Sequence, residues 1–129
     1  MKYNGKRSES PSWRGYGEIG NSYLTAIKHL AKRKNLTFDI SLRQIWNLFL
    51  KQNRKCALSG LKLKFPSAWH SGDGTASLDR IDSSKGYTKQ NIQWLHKEIN
   101  ELKSDFPENE FINWCKIIAK YNKLRNQTT

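Results

Sequence analysis

Between Ala76 and Lys103 the hydrophobic pattern is broken once by a turn and then changes period, and that order constrains the fold more than anything else in the chain. ASLDRID reads as a short strand. Ser83, Ser84, Lys85 and Gly86 are turn-prone, and Asn91, Ile92, Gln93 and Trp94 make a second strand-like piece. After Trp94, the apolar residues Leu95, Ile99 and Leu102 recur at helical spacing. The stretch therefore predicts strand, loop, strand, helix.

The rest of the chain predicts helices before and after that element. Tyr23, Ile27, Leu30 and Ala31 have helical period behind Ser22 as N-cap. Leu42, Ile45, Trp46, Phe49 and Leu50 mark a second helix capped by Asp39 or Ser41. CALSGLKLKF, residues 56–65, has a Ser-Gly turn followed by the alternation Leu61, Leu63, Phe65, which predicts a short strand. A loop is expected over 66–75. Beyond Pro107, a helix from Glu108 to Leu124 is expected to bury Phe111, Trp114, Cys115, Ile118 and Tyr121. The fold class that follows is α+β.

A length of 129 residues suits one domain with a real core. Hydrophobic residues are only 36%, but five Trp, five Tyr and five Phe supply large apolar groups to fill it. Residues 1–21 read as a basic and aromatic arm and 22–129 as the single domain. The two cysteines lack the partners of a zinc site, and both Cys56 and Cys115 are expected to be buried small hydrophobes. No apolar run reaches the ~18 residues of a membrane span, and no signal-peptide pattern opens the chain. A reducing, cytoplasmic setting in a bacterial or phage-infected cell is the expectation.

Net charge is +12, which favours a polyanionic partner. Its distribution is uneven: residues 1–55 carry 12 basic against 3 acidic groups, and residues 56–105 carry 7 against 6. A basic surface that holds phosphates would thus adjoin a segment whose carboxylates have a separate task. Arg14, Lys32, Arg33, Lys34, Arg80, Lys97 and Lys103 are the candidate phosphate contacts, and Trp13 and Trp69 the loop aromatics able to meet a base. DNA is the expected partner, bound by a monomer or a homodimer.

Within the central element, Asp79 lies at the end of the first strand, while His96 and Asn100 are four apart and on one face if both are helical. A carboxylate, an imidazole and an amide meeting at one point suit Mg²⁺ or Mn²⁺, with water completing the shell. His96 is alternatively an exposed helix residue beside Asn100. The run SLDRIDSSKGYTKQNIQWLHKEINELKSD resembles the HNH, or ββα-metal, endonuclease motif in the form common among small phage and bacterial proteins. That resemblance implies a ββα-metal core over about 76–104 and a divalent-metal-dependent DNA endonuclease that nicks as its unit event. It makes Asp79 the first metal ligand, Asn91 the organiser of the loop and Asn100 the helix ligand. His96 falls where some members place a further metal-binding His.

One departure bears on catalysis. Arg80 stands where the family has its general-base His, and a guanidinium cannot take a proton from water near neutral pH, although it can clamp a phosphate. The base is then His70, His96, Asp82 or water on the metal itself. The alternative is an HNH-like fold that binds DNA and cuts weakly or not at all.

Overall fold

The computed structural model describes residues 7–68 and 71–127. They form a mixed α+β structure. A 3-10 turn at Arg7–Glu9 leads to a hairpin of β1 (Gly15–Tyr16) and β2 (Ile19–Gly20), then α1 (Asn21–Arg33), β3 (Phe38–Asp39) and α2 (Leu42–Lys51). After a strandless stretch come β4 (Ala76–Arg80), β5 (Tyr87–Thr88), β6 (Ile92–His96), α3 (Lys97–Lys103) and α4 (Glu108–Gln127). The strands pair two by two: β1 with β2 and β4 with β6 antiparallel, β3 with β5 parallel.

Local chemistry sets the helix limits. At α2, Ser41 is the cap: its hydroxyl accepts from the Gln44 amide at 3.2 Å and the Gln44 side chain accepts from the Ser41 amide at 2.9 Å. This reciprocal pair satisfies two otherwise orphaned donors. Helix α1 starts at Asn21 with Gly20 as cap, two residues before the expected cap Ser22, because the Asn21 amide donates to the Arg14 carbonyl and so holds the first turn on the hairpin. Left-handed residues Asn35, after α1, and Asn53 with Arg54, after α2, stop the helices.

The β4/β6 ribbon is the centre of the structure. Trp94 is fully buried, its ring nitrogen donating to the Ile45 carbonyl at 2.8 Å. Its ring meets Phe65 and Phe49 edge-on, at centroid distances of 5.2 and 5.9 Å, and lies 5.8 Å from Tyr23. Leu78 faces Trp94 across the ladder, and the backbone groups of both point away from it. Side chains close the two open edges. Tyr23 Oη accepts from the Leu78 amide at 2.9 Å. Gln52 accepts from the Trp94 amide at 2.9 Å and donates to the Trp94 carbonyl at 3.0 Å.

Glycine is required at two close approaches. Gly17 has φ +58° and lies on the Trp46 ring, where a side chain would collide. Gly86 passes the Thr37 backbone so closely that a Cβ would overlap it, which lets β5 pair with β3. With the Arg54–Glu18 ion pair at 2.9 Å, the Gly17 contact docks the described part of the arm on the domain.

Two expectations are corrected. CALSGLKLKF forms no strand, only a single Lys55–Lys62 bridge, because its amides are taken up in a turn: Cys56 donates to Leu61 and Gly60 to Cys56. Leu63 and Phe65 are buried, but Leu61 is exposed. Helix α4 buries none of its residues. Phe111 and Ile112 are half-buried, whereas Trp114, Ile118 and Tyr121 point outward and Cys115 is exposed. The helix carries apolar residues on more than one stripe, and a period shows that a face is apolar without showing what covers it. No helix is long and apolar enough to cross a membrane among the described residues.

Burial pushes the Tyr23 phenol up to about 12 from its ordinary 10.0. Replacing it (Tyr23→Phe) leaves the Leu78 amide without an acceptor and is expected to cost about 1–3 kcal/mol in urea unfolding. The neutral phenol's contribution is fully present below pH 10.0 and fades as pH rises toward about 12. The wild-type protein should therefore lose stability over that interval and the Phe variant should lose less; equal slopes would refute the role.

Candidate functional site

The ribbon has two faces. Leu78 and Trp94 look into the α1/α2 core, while Ser77, Asp79 and Gln93, on the alternate face, meet α3 and the start of α4. Asp79 and Gln93 are cross-strand partners. Asp79 Oδ2 accepts from Gln93 Nε2 at 3.0 Å and from Lys103 Nζ at 2.9 Å. Lys103 is 0% exposed and also donates to the Arg80 carbonyl at 3.2 Å. Gln93 Nε2 further donates to Glu108 Oε1 at 2.6 Å, which ties α4 into the same network. Beside it, Asn100 Nδ2 donates to Ser77 Oγ at 2.7 Å.

Asn91 organises the loop between the strands. Its side-chain oxygen accepts from the Asp82 amide at 2.9 Å, and its amide donates to the carbonyls of Asp82 at 3.0 Å and Gly86 at 2.9 Å. Arg80 serves the same loop from the other side. Its guanidinium donates to the Ser83 carbonyl and, at 3.0 Å, to that of Lys85, and lies 5.4 Å from the centre of the Tyr87 ring. The Ser84 hydroxyl and amide hold the exposed Asp82 carboxyl below its ordinary range.

These elements enclose a cavity of about 310 Å³ lined by Asp79, Arg80, Ser83, Asn100, Glu101 and Asp105, among others. Ser104, with φ 50° and ψ −131°, ends α3 at its rim. Three carboxylates thus face one guanidinium. An adjoining cavity of about 560 Å³ shares Asn100 and Glu101 and adds Ser77, Lys97 and Glu98.

Asp79, Arg80 and Asn100 are therefore brought together, while His96 is not. It is the last residue of β6 and the N-cap of α3, with φ −65° and ψ 137°, so the four-residue spacing to Asn100 does not place both on one helix face. It pairs with Ala76 at the far end of the ladder from Asp79, on the opposite face, and its Nδ1 accepts from the Glu98 amide at 3.1 Å. Lys103 is also corrected: it is an internal counter-ion, out of reach of a phosphate. Arg14, Lys32, Arg33, Lys34 and Lys97 are exposed, as is His29. Of the base candidates, Asp82 does not line the Asp79 cavity and His70 lies outside the described residues, as does Trp69.

No group of three His, Cys, Asp or Glu able to hold a metal ion occurs among the described residues. The donors present around the cavity are oxygens. Both hydrogen bonds to Asp79 land on Oδ2, and Asn100 engages Ser77 through its nitrogen, which leaves Asp79 Oδ1 and Asn100 Oδ1 outside those bonds. Two such oxygens suit a hard cation that keeps most of its water, more than one that prefers imidazole.

Glu101, Asp105, Gln93 and Glu108 are site residues that sequence reasoning missed. Gln93 had a signal, as one polar residue inside the run IQWL, and Lys103 had one, three residues after Asn100 and so on its face. Asp105 had none, because it follows the helix in an irregular turn. Removing one partner of the buried pair should be severe: Lys103→Ala is expected to cost about 3–5 kcal/mol in urea unfolding, and the double replacement Asp79→Leu/Lys103→Met distinctly less. A cost typical of a surface lysine would contradict the burial. No protein-family model, curated protein or solved structure matches this chain.

Proposed function

We propose that this chain is a divalent-metal-dependent DNA endonuclease of the HNH type, with β4, β6 and α3 as a ββα-metal core, cutting one strand per encounter. The observation that carries the reading is the pairing of Asp79 and Asn100 on one cavity whose carboxylates outnumber its guanidinium. A phosphodiester is repelled by such a lining unless a cation accompanies it. Asp79 and Asn100 would hold Mg²⁺ or Mn²⁺. When bound, the ion would neutralise the phosphate and stabilise charge on the leaving oxygen.

The chain's own residues then have distinct tasks. Lys103 and Gln93 fix the Asp79 carboxylate, and Ser77 fixes the Asn100 amide. Preorganised groups of this kind need no rearrangement as charge develops. Arg80 adds positive potential at the rim while its loop hydrogen bonds restrain it. Because it cannot accept a proton, we assign that role to a carboxylate of the lining, Glu101, which sits on the helix beside Asn100. Lys32, Arg33 and Lys34 at the end of α1, with Lys97, would hold the DNA backbone.

A second reading, DNA binding without turnover, draws on two observations. No imidazole lines the cavity among its described residues, and the Lys103 ammonium already neutralises one oxygen of Asp79. Plasmid relaxation with Mg²⁺ and with Mn²⁺ separates the two. The expected result is nicking that chelation abolishes. Asn100→Ala should reduce it at least ~100-fold, and Glu101→Gln by about 10²–10⁴, with unchanged melting. DNA binding without cleavage in either metal would overturn the enzyme reading. Full activity in Asn100→Ala would overturn the proposed ligand set.

A further inference from the structure

We propose that α4 is a dimerisation helix, on which a second copy of this chain packs antiparallel. This surface is separate from the Asp79 cavity and does not depend on the nuclease reading. Trp114, Ile117, Ile118, Tyr121 and Leu124 each expose about half of their surface or more. Large apolar side chains gathered on one stripe of a helix mark an interaction surface.

The spacing of the stripe specifies a helical partner. Trp114, Ile117, Tyr121 and Leu124 are separated by three, four and three residues, the alternation of core positions in a paired-helix seam. The other side of α4 faces its own domain: Ile112 and Ala119 line a cavity with Leu58 and Ile99 on the body of the domain. Next to the stripe, Leu102 and Phe106 join Phe111, Trp114, Cys115 and Ile118 around an apolar cavity of about 400 Å³, with room for side chains from a second helix.

Charge decides that this partner is another copy, and decides its direction. The first turn of α4 carries Glu108 and Glu110, and its second half carries Lys120, Lys123 and Arg125. Two antiparallel copies with their twofold axis between Ile117 and Ile118 bring Ile117 onto Ile118 of the partner subunit, and Trp114 onto Tyr121 of the partner subunit. Phe111 meets Leu124 of the partner subunit, and Glu110 meets Arg125 of the partner subunit. Every apolar layer is matched and each acidic end lies on a basic one. The helix dipoles also oppose. A parallel pair would set Lys120, Lys123 and Arg125 against themselves.

Sedimentation equilibrium on the full chain tests this, with oxidative cross-linking to read direction. The expected wild-type species at micromolar concentration is a dimer. Ile117→Glu, at an exposed position, should halve the mass while leaving helicity and melting in place. In a Cys115→Ser background, Ile118→Cys near the axis should cross-link on oxidation and Leu124→Cys should not. A chain that is monomeric at every concentration overturns the proposal, as does a dimer unaffected by Ile117→Glu. Cross-linking of Leu124→Cys as efficient as that of Ile118→Cys overturns the antiparallel direction. Partition of a monomer into phosphatidylcholine vesicles, abolished by Ile117→Glu, would assign the stripe to a lipid surface instead.

Discussion

A ribbon of two strands has no interior strand: every second backbone group on both sides points out of the ladder and must find a partner elsewhere. The rest of this structure is arranged around that requirement. Tyr23 from α1 closes one edge at Leu78, and Gln52 from the end of α2 closes the other at Trp94 with both atoms of its amide. The same two contacts draw the helices onto the ribbon, where Trp94, Phe49 and Phe65 interlock. Core packing and backbone satisfaction are thus met by the same two helices.

The ribbon's second face is polar and buried, which is the costlier arrangement. Asp79 is held there because Lys103 and Gln93 both reach it, and Gln93 passes the network on to Glu108 at the start of α4. A charge taken out of water needs such partners to offset its lost hydration. What results is a carboxylate with one oxygen committed and its position set by three elements of structure. Loop 81–91 is held as firmly, with Asn91 and Arg80 each binding two of its carbonyls. The cavity between these parts is therefore walled by hydrogen-bonded groups at Asp79 and Arg80, and its lining also includes the exposed Glu101 and Asp105.

The two ends of the chain contribute differently. The described part of the N-terminal arm lies on α2 and adds basic groups near the domain surface. Helix α4 is fastened at its first turn through Glu108 and then runs with its larger apolar groups outward. On the side toward the domain body it presents Ile112 and Ala119 to a cavity shared with Leu58 and Ile99, side chains smaller than the Trp and Tyr it leaves exposed.

Much of the framework was legible in the residues alone. The helix through Tyr23 to Ala31, the helix after Ser41, the strand, loop, strand, helix order over 76–103 apart from the two-residue β5, and the α+β class follow from period and, at Ser41, from capping, which are local properties of the chain. Asp79, Arg80 and Asn100 could be singled out because they sit at defined points of that order. What local pattern does not carry is which face of an element meets which neighbour. His96 looked helical because apolar spacing continues through Leu95, yet its backbone is extended and cross-strand register turns it away from Asp79. Lys103 looked like a phosphate contact, but the approach of α3 to β4 buries it against that carboxylate. CALSGLKLKF alternates like a strand and has no strand to pair with among the described residues, and α4 is apolar where none of the described residues covers it. Sequence determined the elements and their order through local backbone and periodic preferences. Tertiary structure decided the site, because burial and pairing depend on residues distant in the chain.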